Sequence, residues 1–388
     1  MKIKKDKNIM IVLMIFILLF SGMFSVKAVN NGNNKPIHGK VVKIESGGNK
    51  NSQRFSNVDV KIISGKLKGR TITVQNFVGG KIKDENSSTQ SFVKVGDEVL
   101  INVDKYDKNG NVQKAYIYEI VRYKYLYKLG IFFVLLLIII GGKKGIKSVI
   151  TLAITGFMVL KVLIPLVIQG FNPVIVSSVI CMIAIVVNLV IIGGKNEKTL
   201  SAIIGTFGGV LIAGFIALFS NSIIRVNGLT DDQMQSIIYV AQNSNFDFPG
   251  LLFAGIIMGA LGAVMDVSIS IASSVKEIED AKPDITVKEL IKSGMNVGKD
   301  IMGTMANTLI LAYVGGAMYI MIMVSSYSYS SSVTTAVDQD VIASEILKAL
   351  AGSIGLIFAI PITTVVAALL VKRHRNRSKE ISEPEGEK

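Results

Sequence analysis

The chain has 388 residues, half of them apolar, with no tryptophan, one cysteine, two histidines and a formal net charge of +14. That balance is too apolar for a soluble globular domain and fits a polytopic membrane protein with one water-soluble portion. The lone Cys181 excludes an internal disulfide. With only His38 and His374, near opposite ends of the chain, a His-rich metal site or a Ser/His/Asp triad is close to excluded by inventory.

The first residues hold four lysines, followed by an apolar run from Ile9 to Val26. Residues 1–28 therefore read as a signal peptide or an N-terminal signal anchor, and either one exports the adjoining segment. Residues 36–122 have another texture. "NVDVKII", "TITV" and "EVLINV" alternate apolar and polar positions, the period of half-buried strands. Asn109-Gly110 signals a type I′ hairpin. Five or six short strands in this length predict a small antiparallel barrel or sandwich of OB-like size. It holds 15 Lys and Arg against 9 Asp and Glu. That excess suits a solvated face, or contact with anionic headgroups or another envelope partner. Tyr123, Tyr125 and Tyr127 stand at its exit, where an aromatic belt marks entry to a bilayer.

From 123 to 371 the chain reads as a multi-pass helical domain, with spans near 125–141, 148–168, 172–193, 199–220, 249–271, 299–324 and 351–371. Counting the N-terminal run gives about 7–8 transmembrane helices. The connectors at 143–147, 195–198 and 276–299 and the terminal "KRHRNRSK" are basic, whereas the alternate connectors hold only Arg225 and Lys348. This positive-inside pattern predicts a cell membrane protein with an extracytoplasmic β domain and a cytoplasmic C-terminus. It also explains the net charge, so a nucleic-acid partner is excluded. Segments 230–243 and 338–352 have helical, amphipathic spacing, as interfacial or re-entrant pieces do. Residues 372–388, basic then acidic, read as a disordered tail.

The candidate chemistry is a polar layer. Asp266 lies roughly 25 Å from the outer end of its span, in the inner third of a ~30 Å core. Ser270 and Ser273 follow at i+4 and i+7, a stripe predicted to point into the bundle or a cytoplasmic vestibule. On the next span Asp300, Thr304, Asn307 and Thr308 repeat at i, i+4, i+7 and i+8. Asn188, Thr155, Thr206, Thr363 and Thr364 fall at the same inner level, with Pro361 positioned to kink the last span. Intramembrane carboxylates and amides mark solute, ion or proton sites by default. Serine, threonine and asparagine also serve as helix–helix glue. Lys161, deeper in its span, is explained by snorkelling. Gly205, Gly209, Ala213 and Ala217, and Gly255, Gly259 and Gly262, form small-residue stripes for close helix packing.

The pair "GALGAVMDVSISIASSVKEI" and "GKDIMGTMANTLILAYVGG", with "LGIFFVLLLIIIGGKKGIKSVITL" and "VLIPLVIQGFNPV", resembles the YibE/F family of bacterial multi-pass membrane proteins. The resemblance runs from about residue 36 to 325. It implies an exported β domain before a helical membrane core, and a permease-like role. Asp266, Ser270, Asp300, Thr304 and Asn307 occupy the signature positions, and no catalytic role comes with them.

The resulting expectation is a permease of the bacterial cytoplasmic membrane, without cofactor or catalytic residues, whose solute or ion pathway uses Asp266, Ser270, Asp300, Thr304, Asn307 and Asn188. One alternative is a non-transporting scaffold, whose β domain engages an envelope partner or which assembles as a homo-oligomer. Another is an intramembrane aspartyl protease using Asp266 and Asp300, although "VGKD" lacks the second glycine of the GxGD pattern.

Overall fold

A computed structural model describes residues 37–45, 49–50, 53–65, 67–78, 93–106, 112–226, 247–327 and 338–382. The described chain falls into two compact units that divide between Leu136 and Leu137. That boundary lies inside the first helix, which starts at Tyr123 just after the sheet ends at Ile120.

The N-terminal unit is built on β1 (Ile37–Glu45), β2 (Asn49–Lys50), β3 (Gln53–Ile62), β4 (Thr71–Val78), β5 (Glu98–Tyr106) and β6 (Val112–Ile120). The alternation seen in the sequence is the burial pattern: Val58, Val60, Ile62, Val74, Val99, Ile101 and Val103 turn inward and are almost wholly buried. The sheet order is β1-β5-β6-β4-β3-β2, with a further β1–β3 pairing. β1 pairs first with β5 (Ile37–Lys40) and then with β3 (Gly39–Glu45), with a register shift between Val41 and Lys43. At this changeover a Cβ on Gly39 would collide with Val60, so the close strand approach needs glycine. β4 and β6 meet in parallel at Gln75 and Tyr116. The Asn109-Gly110 turn lies outside the described residues.

The helices are α1 (Tyr123–Phe157), a π-helical turn (Met158–Leu163), α2 (Ile164–Ile168), α3 (Pro173–Gly193), α4 (Glu197–Ile224), α5 (Phe248–Ala281), α6 (Val287–Gly316), α7 (Met318–Tyr327) and α8 (Asp340–Ser382). Side chains fix their starts. Asn172 accepts from the N–H groups of Val174 and Ile175, Asn196 from Thr199 and Asp247 from Gly250. Thr286 and Glu289 form a reciprocal capping box at α6. Gly142 adopts φ 53, ψ −126 inside α1, and a Cβ on Gly145 would collide with the Leu137 carbonyl eight residues back. In a straight helix those residues stand about 12 Å apart along the axis. The chain therefore folds back at Gly142, immediately before the expected "KKGIK" connector at 143–147.

Five helices are long and apolar enough to cross a membrane: 123–168 (interrupted at Gly142), α3, α4, α5 and 340–375. The expected span 299–324 is not among them. Lys299, Asp300, Thr304, Asn307 and Thr308 dilute its hydropathy, and the helix breaks between Gly316 and Met318. The core of the helical unit is packed by α3, α4, α5, α6 and α8. α4 and α8 approach through glycine: substituents on Gly205, Gly209 and Gly355 would meet Thr363, Ala359 and Ala213. Two expectations at the end of the chain change. Residues 340–352 continue into the last span as one helix, and α8 runs on to Ser382, so 372–382 are helical rather than disordered. The 1–28 and 230–243 segments lie outside the described residues.

Candidate functional site

The polar layer resolves into three groups that differ in which way each helix is turned. The first is closed. Thr155 and Asn188 bond to each other, Thr155 Oγ1 to Asn188 Oδ1 at 3.2 Å and Asn188 Nδ2 to Thr155 Oγ1 at 3.0 Å, tying α1 to α3. Asn188 is thus engaged as helix–helix glue. The second group is buried and locally satisfied. The hydroxyls of Thr206, Thr363 and Thr364 donate to the carbonyls of Ala202, Ala359 and Ile360, four residues back in their own helices. Thr363 sits against Gly205 and Thr364 against Gly294, so both fill packing sites. Pro361, just before them, has no N–H to offer the Ile357 carbonyl.

The third group lies on α5 and α6. These helices run antiparallel, as side-chain contacts fix: Val275 meets Gly294, Ile271 meets Gly298 and Tyr313 meets Gly259. That register sets Asp266 level with Gly303 and Thr304, and Ser270 level with Lys299 and Asp300. Asn307 falls about one turn away, level with Gly262 and Ala263. The sequence predicts that the Asp266 stripe points into the bundle or a cytoplasmic vestibule. In the structure Asp266, Ser270, Asp300, Thr304, Asn307 and Thr308 are all exposed on the surface of the helical unit. The reason is crowding: Val264, Met265, Val267, Ser268 and Ile271 fill the buried face of α5 and leave the 255–259–262–266–270 stripe on the opposite side exposed. Thr304 and Thr308 donate to Ile301 and Thr304 carbonyls. Asp266, Asp300 and Asn307 make no hydrogen bond or ion pair with any described residue.

Other features complete the inventory. An apolar cavity of about 290 Å³ lies between α3, α4 and α5, lined by Phe207, Phe215, Phe253 and Ile257 among others. Its polar wall residue, Ser178, is bonded to the Val174 carbonyl, and none of the candidate residues line it. No group of His, Cys, Asp and Glu among the described residues could hold a metal ion. Lys161 sits in the π-helical turn and makes no ion pair with a described residue.

Two features escape sequence reasoning. The Tyr313 hydroxyl is buried against Gly259, beside the α5 stripe, with no hydrogen-bond partner among the described residues. At the other end of α5, the Glu279 side chain, 1% exposed, takes Arg375 Nη1 at 2.7 Å and Lys276 Nζ at 3.2 Å. Lys372 donates to the Pro283 carbonyl and His374 meets Glu197 at 3.1 Å, so α8 is tied to both α5 and α4. Within "KEIED" nothing but helical phase separates a buried glutamate from its solvated neighbours.

Comparison with curated proteins and with solved structures finds no match. The apolar helices make this a membrane protein. A family model described as YibE/F-like protein matches residues 129–373, beginning after the sheet and ending within α8, and the chain belongs to that family.

Proposed function

We propose that the protein is a permease of the bacterial cytoplasmic membrane that passes a small solute, ion or proton along the α5–α6 strip, with Asp266 as its titratable member and Asn307 as a coordinating amide. One observation supports this most: Asp266 and Asn307, like Asp300 one turn nearer the inner end, have no hydrogen bond or ion pair with any described residue, while Thr155, Asn188, Thr206, Thr363 and Thr364 are satisfied locally or by each other. At ~1.5 Å per residue α5 is about 51 Å long, well beyond a ~30 Å core. Its charged end, with Lys276, Glu279 and Asp280, then projects into the cytoplasm with the basic connectors. Asp266 falls just inside the inner boundary, and Asn307 about 6 Å deeper.

The finer architecture belongs to the same reading. The fold-back at Gly142 makes two spans of 123–168, and α6 with α7 contributes another, for seven spans in addition to the N-terminal signal or anchor. The β1–β3 pairing brings the sheet back onto itself, in support of a small OB-like barrel, and the positive-inside charge pattern supports an outside position for it.

The scaffold reading gains from the Thr155–Asn188 pair, which is structural glue, but it gives the open strip no purpose. The protease reading needs Asp266 and Asp300 to share a proton. Their offset of about one helical turn, ~6 Å along the axis, speaks against it.

The test is a strain whose only copy carries Asp266→Asn or Asp266→Glu, with membrane abundance checked. Loss of the wild-type growth phenotype and altered cellular ion or metabolite content in Asp266→Asn, with partial recovery in Asp266→Glu, supports the permease. Wild-type behaviour of Asp266→Asn at normal abundance refutes it.

A further inference from the structure

We propose that the α5–α6 strip is the interface of a parallel homodimer, so that the permeation pathway is complete only when a second copy of this chain covers it. The inference rests on the permease reading and names its partner.

Three observations converge. The exposed α5 positions Gly255, Gly259, Gly262, Asp266 and Ser270 fall on one face and extend over about 22 Å. A Cβ on Gly255, Gly262 or Gly303 would meet nothing within 4 Å, whereas Gly205, Gly209, Gly294 and Gly298 are pressed against neighbouring side chains. The second set serves packing within the chain, and the first serves nothing within it. Small residues let a helix from another molecule come close. Lastly, the carboxylates and amide on this face have no partner among the described residues and need hydrogen-bonding partners that acyl chains do not have.

A second copy meets these needs better than the other candidate occupant, the apolar run at residues 9–26. That run offers only Ser21 and Ser25 as polar side chains. Two copies share one membrane orientation, so a two-fold axis along the membrane normal sets each residue opposite others of its own depth. The Asn307 amide, both donor and acceptor, can pair with its own copy. The two Asp266 carboxylates then face each other across the path, where they can share a proton or a cation.

The experiment is cysteine cross-linking in native membranes. The only cysteine, Cys181, is buried and is replaced by alanine. Single cysteines are then placed at Gly262, at Gly303 and, as a lipid-facing control, at Phe215, which is 69% exposed. Oxidation is expected to give a disulfide-linked species of twice the chain mass from Gly262→Cys or Gly303→Cys and none from Phe215→Cys. No dimer from either strip position, equal linking at Phe215, or a link from Gly262→Cys to a Leu18→Cys in the same chain overturns the proposal. The Cys181→Ala protein alone, measured by native mass spectrometry in nanodiscs, guards against misfolding of the glycine variants: dimer mass supports the interface and monomer mass overturns it. Absent cross-links with an inactivating Asp266→Asn sink the dimer and spare the permease. Normal cross-links with a fully active Asp266→Asn do the reverse.

Discussion

Gly209 sits where α4, α5 and α8 converge, and its replacement by alanine gives a sharp test of the packing. A Cβ there would lie 2.7 Å from Ala359 Cβ, 2.7 Å from Val264 Cγ1 and 2.8 Å from the Gly355 carbonyl oxygen. Carbon atoms rest comfortably at about 3.5–4.0 Å, so each contact is short by close to 1 Å. The neighbours belong to two other helices, and one is backbone, so no single rotamer change relieves all three. Overpacking of this kind costs about 1–3 kcal/mol, and the backbone contact argues for the upper half. The gain of about 1 kcal/mol in helix propensity from Gly to Ala offsets part of it. Gly209→Ala should therefore lose about 1–2 kcal/mol net in denaturant unfolding of the purified protein in detergent. Gly130→Ala in α1, outside the α5–α6 strip and with nothing within 4 Å of its Cβ, keeps the propensity gain and should be neutral or slightly more stable. A Gly209→Ala protein as stable as Gly130→Ala would refute the assigned α4–α8 contact.

Two further outcomes concern the charged ends of α5, α6 and α8. Arg375→Ala strips the principal partner from a Glu279 side chain that is 1% exposed, and should cost about 3 kcal/mol in the same unfolding assay. Adding Glu279→Ala should recover much of that, and additive losses in the double variant would contradict the pairing. At the start of α6, the Thr286 backbone N–H and hydroxyl both donate to Glu289 at 3.0 Å and hold its carboxyl below the usual glutamate range. Since the folded value is the lower one, this stabilisation is present at neutral pH and is lost as pH falls through that lowered value. Protection of the 287–290 amides, taken relative to the intrinsic exchange rate at each pH, should fall there, and in Thr286→Val the fall should begin at higher pH; identical protection profiles for the two proteins would remove the capping box.

Much of the architecture was legible in the sequence because it depends on composition along the chain. Val58, Val60 and Ile62 announced a half-buried strand, and the apolar runs with their basic connectors marked most of the spans. What escaped was rotation about each helix axis. Asn188 and Asp266 share a depth, yet one is turned against Thr155 and the other out of the bundle, and that phase is set by tertiary packing. The start of α6 was missed for another reason. Lys288, Glu289 and Lys292 read as loop, although Thr286 followed by Glu289 is a capping-box spacing. The buried Glu279 was hidden among charged neighbours, and its partner Arg375 lies 96 residues away.

Water access to the strip tests the permease claim most directly, because it needs no knowledge of the solute. In the Cys181→Ala protein, cysteines are placed singly at Asp266, Asn307 and Phe215. Membrane-impermeant maleimide is then applied to each face of sealed vesicles, with denatured samples as the labelling control. A hydrated pathway predicts labelling at 266 and 307 from the cytoplasmic face and none at 215. Absence of labelling at both strip positions, in proteins that label fully once denatured, would contradict it.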